Sequence, residues 1–277
     1  MDAPFAQFGP DQPISPVIVS VPHAGRDYPP TLLAALRVPV AALRPLEDRR
    51  VDAVALAARR SETILVQRRA RAWIDLNRAE DERDPKVDAG ARPGAPTTPK
   101  LRSGLGLVPA RVSGAGALWR GRFAGAAIDD RIAADYRPYH ARLALLLARA
   151  RAAFGTAVLL DLHSMPTLGA GRPRVVLGDR FGTSAGGRFV ARAEAAVAAA
   201  RMPAALNAPY AGGHVVHRHG DPRRGVHAIQ LELDRTLYLD ASLDGLGEGA
   251  AATAAIVRAV IDALADEALP SARMAAE

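Results

Sequence analysis

One apolar run that ends in ionisable residues constrains this chain more than any other feature: Ala157-Val158-Leu159-Leu160 leads into Asp161-Leu162-His163-Ser164. An uninterrupted apolar stretch of this length predicts a buried strand. Strands buried on both faces belong to largely parallel sheets covered by helices. A strand closing on Asp-Leu-His sets an imidazole at the carboxyl edge of the sheet, where open α/β folds build their sites. Val17-Ile18-Val19-Ser20-Val21 repeats the pattern and runs into Pro22-His23-Ala24-Gly25. Two histidines so placed can converge on one metal ion. With a carboxylate and an exchangeable position they describe a hydrolytic zinc site.

The remaining pattern alternates strands and helices. Strands are expected at 62–67, 72–76, 174–177 and 226–233, and helices at 31–36, 47–60, 128–154 (kinked at Pro138), 184–200 (Ser184 as N-cap) and 247–269. With 277 residues and 49% hydrophobic composition there is enough apolar material for a sizeable core. The expected fold is α/β: a single domain, 1–277, with a central, mostly parallel mixed β-sheet flanked by helices. The Pro/Gly-rich stretch 79–107 interrupts the pattern and reads as a long loop, either a lid over a site or a surface insertion.

No cysteine is present, so disulfides, thiolate ligands and cysteine nucleophiles are excluded, and any zinc must be held by His, Asp or Glu. Neither a bilayer-spanning segment nor a signal peptide is evident, which makes a cytoplasmic location the expectation. The net charge of +7 raises a nucleic-acid partner. The arginines, however, are scattered among acids and alanines. A basic nucleic-acid-binding protein with a decayed site therefore stands only as the alternative of another class.

Asp161 lies two residues before His163, so the two share a strand face and Asp161 can orient the imidazole. Asp48 and Asp52, four apart on the expected 47–60 helix, share a face. Either can supply the carboxylate ligand, with Asp48 preferred, while Glu47 points elsewhere. Glu232 lies inside the 226–233 strand, where a charge costs several kcal/mol unless paired or functional. It is the candidate general base, with a salt bridge to Arg235 as the alternative. Asn77 and Arg78 suit an anchor for an acidic substrate, since a guanidinium fork matches a carboxylate. Arg78 capping carbonyls is the plainer possibility. In 207–220, Gly212 and Gly213 suggest tight turns near a ligand. Read as non-helical, that segment does not align His214, His217 and His219 on one face, so one or two of them contact substrate rather than metal.

Together these landmarks resemble the N-formylglutamate amidohydrolase family. The matching pieces are Val21-Pro22-His23-Ala24-Gly25-Arg26-Asp27-Tyr28-Pro29, the acidic pair Asp48 and Asp52, Asp75-Leu76-Asn77-Arg78, Pro138-Tyr139-His140, Asp161-Leu162-His163-Ser164, Pro209-Tyr210-Ala211-Gly212-Gly213, and the Glu232 strand with Tyr238. The resemblance implies a zinc-carboxypeptidase-like α/β core, with more distant similarity to aspartoacylases. It implies a metal histidine at His163, a carboxylate-holding pair at Asn77 and Arg78, and a catalytic Glu232. Where the wider group often has His-x-x-Glu, this chain has His23-Ala24-Gly25-Arg26, so its metal carboxylate must come from elsewhere. Arg49 and Arg50 stand where the formylglutamate branch often has an aromatic residue and a histidine.

The expected centre is one Zn²⁺ held by His23, Asp48 and His163, with cobalt or manganese open because nitrogen and oxygen ligands accept several divalent ions. Glu232 moves the proton. Asn77, Arg78, Tyr210, Gly212, Gly213 and His214 bind substrate, with Asp52, Asp161, His140 and His217 as further positions. The partner is a small acidic N-acyl amino acid, with no membrane and no nucleic acid. The reaction implied is hydrolysis of N-formyl-L-glutamate to formate and glutamate, a step in histidine breakdown. A zinc deacylase or carboxypeptidase-like peptidase acting on another N-acyl amino acid or peptide is the alternative.

Overall fold

A computed structural model of the chain describes residues 3–92 and 98–269. The elements in order are β1 (Phe5–Phe8), β2 (Val17–Val21), α1 (Pro30–Ala35), a 3₁₀ segment (Val40–Leu46), α2 (Val51–Ala58), β3 (Thr63–Gln67), α3 (Pro99–Arg102), the short strands β4 (Arg111–Val112) and β5 (Gly116–Ala117), and α4 (Gly125–Arg131). A π-helical turn (Ile132–Tyr136) leads into α5 (Arg137–Phe154), followed by β6 (Ala157–Met165), β7 (Val175–Gly178), α6 (Gly187–Ala199), β8 (Ala204–Leu206), α7 (His214–His219), β9 (Val226–Asp234) and α8 (Ala250–Ala268). No helix among the described residues is long and apolar enough to cross a membrane. The α/β expectation holds, with a seven-stranded mixed sheet in the order β1-β3-β2-β6-β9-β7-β8 among the described residues.

Two compact units make up the chain. The larger comprises 7–21, 50–65 and 143–277 and carries most of the sheet. Its middle strands, β2 and β6, are wholly buried, as their β-branched and leucine-rich sequences require. β2 runs parallel to β6, and β6 parallel to β9, while β7 lies antiparallel to β9. The chain passes from β2 outward to β3 on one side and from β6 to β9 on the other. The strand order therefore reverses between β2 and β6. Such a switch point leaves a crevice beyond the carboxyl ends of the strands, the usual ligand position in open α/β sheets. α8 packs against α2, α6 and β6 through a stripe of Ile256, Val257, Val260, Ile261 and Leu264, the spacing of one helix face.

The smaller unit comprises 1–6, 22–49 and 66–142 and is built mainly of turns. In this unit, and where the chain leaves it near Arg50 and Arg142, the structure departs most from expectation. The 47–60 helix starts only at Val51, because Arg50 adopts a left-handed φ of 59° that helical backbone cannot pass through. The 72–76 segment is a turn rather than a strand. Ala72, Ile74 and Leu76 are buried, but the backbone pairs with a loop, Asp75 N donating to Leu107 O at 2.8 Å. Alternation there marks burial without a ladder. The 128–154 helix begins at Gly125 and contains the π turn just before Pro138. Proline clashes with the carbonyl four residues back, and a widened turn relieves that crowding. The 79–107 loop contains α3, capped by Thr98 Oγ1 accepting from Leu101 N at 3.1 Å, and buries Val87, Leu101 and Leu107. Its centre, 93–97, including Pro93 and Pro96, lies outside the described residues.

In the larger unit, α6 starts at Gly187 rather than Ser184. Ser184 instead donates its hydroxyl to Ala228 O at 2.8 Å, so it is not the cap. β6 extends to Met165, so His163 sits within the strand rather than beyond it.

Candidate metal centre

In the larger unit, the registers of β6 and β9 place Asp161 beside Gln230 and His163 beside Glu232. Along β6, Asp161 and His163 share a face, and His163 Nε2 meets Asp161 Oδ2 at 2.9 Å. A carboxylate only accepts, so Nε2 carries the proton and Nδ1 the lone pair in the neutral ring. Asp161 is fixed in turn by Ser20 Oγ, which donates to Oδ1 at 2.8 Å. On β9, Gln230 Nε2 donates to Glu232 Oε1 at 2.8 Å. All of these side chains are buried.

In the smaller unit, His23 follows β2 in a tight turn. Gly25 makes the turn possible: a Cβ there would lie 2.1 Å from Arg69 O. His23 Nε2 donates to Asp75 Oδ1 at 2.7 Å, leaving Nδ1 with the lone pair. That nitrogen faces Asp48 Oδ2 at 3.6 Å, near the ~3.3 Å edge of a tetrahedral site with ~2.0–2.1 Å bonds. Burial alone would raise the Asp75 carboxyl, but the charges of Arg71 and Arg78 and the hydrogen bond from His23 hold it well below the usual carboxylate range. Glu47 is occupied by Tyr28 Oη and by Arg49 Nη1 at 2.5 Å.

Chain connectivity relates the two histidines. Ser20 is in register with Asp161; His23 follows Ser20 by three residues and His163 follows Asp161 by two. Both lie at the carboxyl edge of the switch-point strands. His23, Asp48 and His163, all buried, form a group able to hold a metal ion. Two neutral imidazoles and a carboxylate are the donors of a catalytic zinc site, so the residues fit such an ion.

The other expected positions divide. Asp52 lies in the first turn of α2, and Asp48 precedes that helix, so the two do not share a helical face as expected. Asn77 and Arg78 occupy the 75–78 turn. Arg78 Nε donates to Leu105 O at 2.7 Å and Nη1 to Asn77 O at 2.6 Å, and burial lowers its pKa. Carbonyl capping, the plainer possibility, is therefore real, whatever else the residue does. His140 backs the same turn, Nε2 donating to Leu76 O at 3.0 Å beneath Tyr136. The 207–220 segment is helical from His214, contrary to expectation: His214 and His217, three apart on α7, bring their rings to 6.3 Å. His217 is exposed and Tyr210 half-buried. His219 is pushed down to about 3 by burial, with Arg218 and His214 adding to the effect. Gly213 N donates to Gln230 Oε1 at 2.9 Å.

From the sequence alone, no site role falls to Asp75 or Gln230. Asp75, an acid inside an apolar run like Asp161, carries the same signal. Gln230 stands to Glu232 as Asp161 stands to His163.

Residues 15–239 match the family model described as N-formylglutamate amidohydrolase. An N-formylglutamate deformylase of Pseudomonas aeruginosa is 32% identical over 259 residues, spanning 90% of this chain and 92% of that protein. One from Pseudomonas putida is 31% identical over 234 residues, spanning 81% of this chain and 82% of that protein. Among solved structures, N-formylglutamate amidohydrolase from Ralstonia eutropha superposes with a TM-score of 0.85 at 30% identity, covering 96% of this chain and 98% of that one. A gene product of Agrobacterium tumefaciens at 18% identity shares the fold, with a TM-score of 0.70 and 96% of each chain covered.

Proposed function

Because this chain belongs to the N-formylglutamate amidohydrolase family, and so is a hydrolase acting on an amide, we propose that it cleaves N-formyl-L-glutamate to formate and glutamate, with His23, Asp48 and His163 holding one divalent ion, zinc by first choice. The family match runs through both compact units, which we therefore read as one hydrolase domain. The observation that carries the proposal is the buried His-Asp-His donor set, in which each imidazole is fixed by its own carboxylate, Asp75 or Asp161.

A bound divalent cation supplies Lewis acidity at the acyl oxygen and makes water easier to deprotonate. Glu232 takes a proton from the attacking water and returns it to the departing amine. The water oxygen bonds to the formyl carbon, the C–N bond breaks, and the amine of glutamate leaves with the proton. Arg78 holds the substrate carboxylate through Nη2, its other nitrogens being engaged with carbonyls, and Asn77 adds a second hydrogen bond. Tyr210, Gly212, Gly213 and His214 bind the rest of the substrate. The matching physiological role is a cytoplasmic step of histidine breakdown.

A hydrolysis screen of N-formyl, N-acetyl and N-succinyl amino acids, with and without chelator, tests this. N-formyl-L-glutamate should turn over fastest, chelation should stop turnover, and added zinc should restore it. Full activity in metal-free protein excludes the ion. Faster cleavage of acetyl or succinyl substrates moves the enzyme to a deacylase.

A further inference from the structure

We propose that Gln230 is a positioning residue for Glu232, the middle of a relay from the Gly213 backbone to the catalytic carboxylate. Its role rests on Glu232 being the base. Gln230 Nε2 donates to Glu232 Oε1 at 2.8 Å, and Gln230 Oε1 accepts from Gly213 N at 2.9 Å. The amide has one orientation that satisfies both ends. Flipped, it would set two N–H groups against each other and an oxygen against a carboxylate. The buried amide thus holds Oε1 of the base at a defined place.

The 211–213 backbone that feeds this relay is set by two glycines. Gly178 on β7 pairs with Gln230 on β9. A Cβ at Gly178 would lie 2.6 Å from Gly212 N and 2.7 Å from Ala211 C, so only glycine lets the loop lie on the strand there. Arg180 N donates to Ala211 O at 2.7 Å and pins it. Gly212 turns the chain with a φ of 105°, where a side chain would be strained and would meet Val216 at 2.8 Å. Gly213 N then points at Gln230. The relay couples the loop expected to touch substrate to the group expected to move the proton, so the loop's position and the base's position are one variable.

The experiment compares Gln230→Met, Glu232→Gln and the double variant in metal-loaded enzyme with N-formyl-L-glutamate, alongside metal content and urea unfolding. Gln230→Met keeps the volume and loses both hydrogen bonds. It should lower kcat roughly 10- to 100-fold. KM should stay within about twofold and metal content should be unchanged, because a group acting only on the base affects the transition state. In the Glu232→Gln background the same change should cost less than about twofold, since residues acting through one another are non-additive. Gly178→Ala, which displaces the loop and leaves Gln230 in place, should give a smaller kcat loss of the same kind. If Gln230→Met fails to fold, Gln230→Asn, one methylene too short to span the relay, carries the same expectations. Intact kcat in Gln230→Met beside an inactive Glu232→Gln overturns the relay alone, as does an equal loss in both backgrounds. A fully active Glu232→Gln overturns the base assignment itself.

Discussion

The two histidines of the candidate centre are supported in opposite ways. His163 stands in β6, and the carboxylate that holds it, Asp161, is two residues back on the same strand, with Glu232 in register on the neighbouring β9. His23 stands in a turn, and its partners Asp48 and Asp75 arrive from distant points of the chain, Asp75 at a separation of 52 residues. A strand support costs little conformational entropy, because the ladder already fixes the backbone. A turn support must be assembled from loops, each of which needs its own anchors. Arg71, Arg78, Leu107 and Gly25 serve as those anchors. The turn-borne histidine should therefore be tied to global stability and the strand-borne one mainly to chemistry.

Substitutions can break or sharpen that contrast. The largest effect should come from the strand side: Glu232→Gln should lower kcat by about 10³-fold with metal content and unfolding midpoint unchanged, read by steady-state kinetics and metal analysis. Next is Asp75→Asn. It should weaken metal binding roughly 10- to 100-fold and also cost about 3 kcal/mol of stability, because Arg78 and Arg71 lose the charge they surround. Asp161→Asn should weaken metal binding to a similar degree, yet cost only about 1 kcal/mol in denaturant unfolding, since it leaves no buried cation behind. Equal destabilisation by the two would erase the distinction between turn and strand support.

The smallest effect concerns a third kind of histidine, held by a backbone donor. His227 Nδ1 accepts from Gly186 N at 3.1 Å while its ring stacks on Phe189. Burial, with Arg188 adding, pushes its pKa from 6.5 to about 4. Between those values the unfolded chain binds the proton and the folded chain does not. The stability this neutral ring contributes is complete above pH 6.5, declines as the pH falls, and is gone once it passes about 4. Urea midpoints at pH 7 and pH 5 should therefore differ more in the native protein than in His227→Gln. An identical pH response would remove His227 from the acid sensitivity of the fold.

The same contrast governs what can be seen in the sequence. Val17–Val21 and Ala157–Met165 are legible because a strand buried on both faces leaves an unbroken apolar run. The pairing of Asp161 with His163 follows from period two alone. The expected alignment of Asp48 with Asp52 fails, because a left-handed Arg50 separates Asp48 from the helix. Asp75 lies in a motif that stands out, but nothing local ties it to a histidine so far upstream. Its neighbours Ile74 and Leu76 alternate like a strand because they are buried, whereas strand identity depends on a ladder partner that periodicity does not report. The helical start at His214 is hidden because the glycines before it dominate the local signal.

The π turn at Ile132–Tyr136 amounts to one residue more than an α-helix would use over the same path. Each residue of helix turns the chain by about 100°, so that single addition sets the phase of everything after it. It is what lets Tyr136 donate to Arg78 O at 2.8 Å and His140 to Leu76 O from the same side. Losing one residue here would rotate the buttress away from the turn it props, and compensating would take an insertion downstream. This stretch should therefore tolerate changes of side chain far better than changes of length.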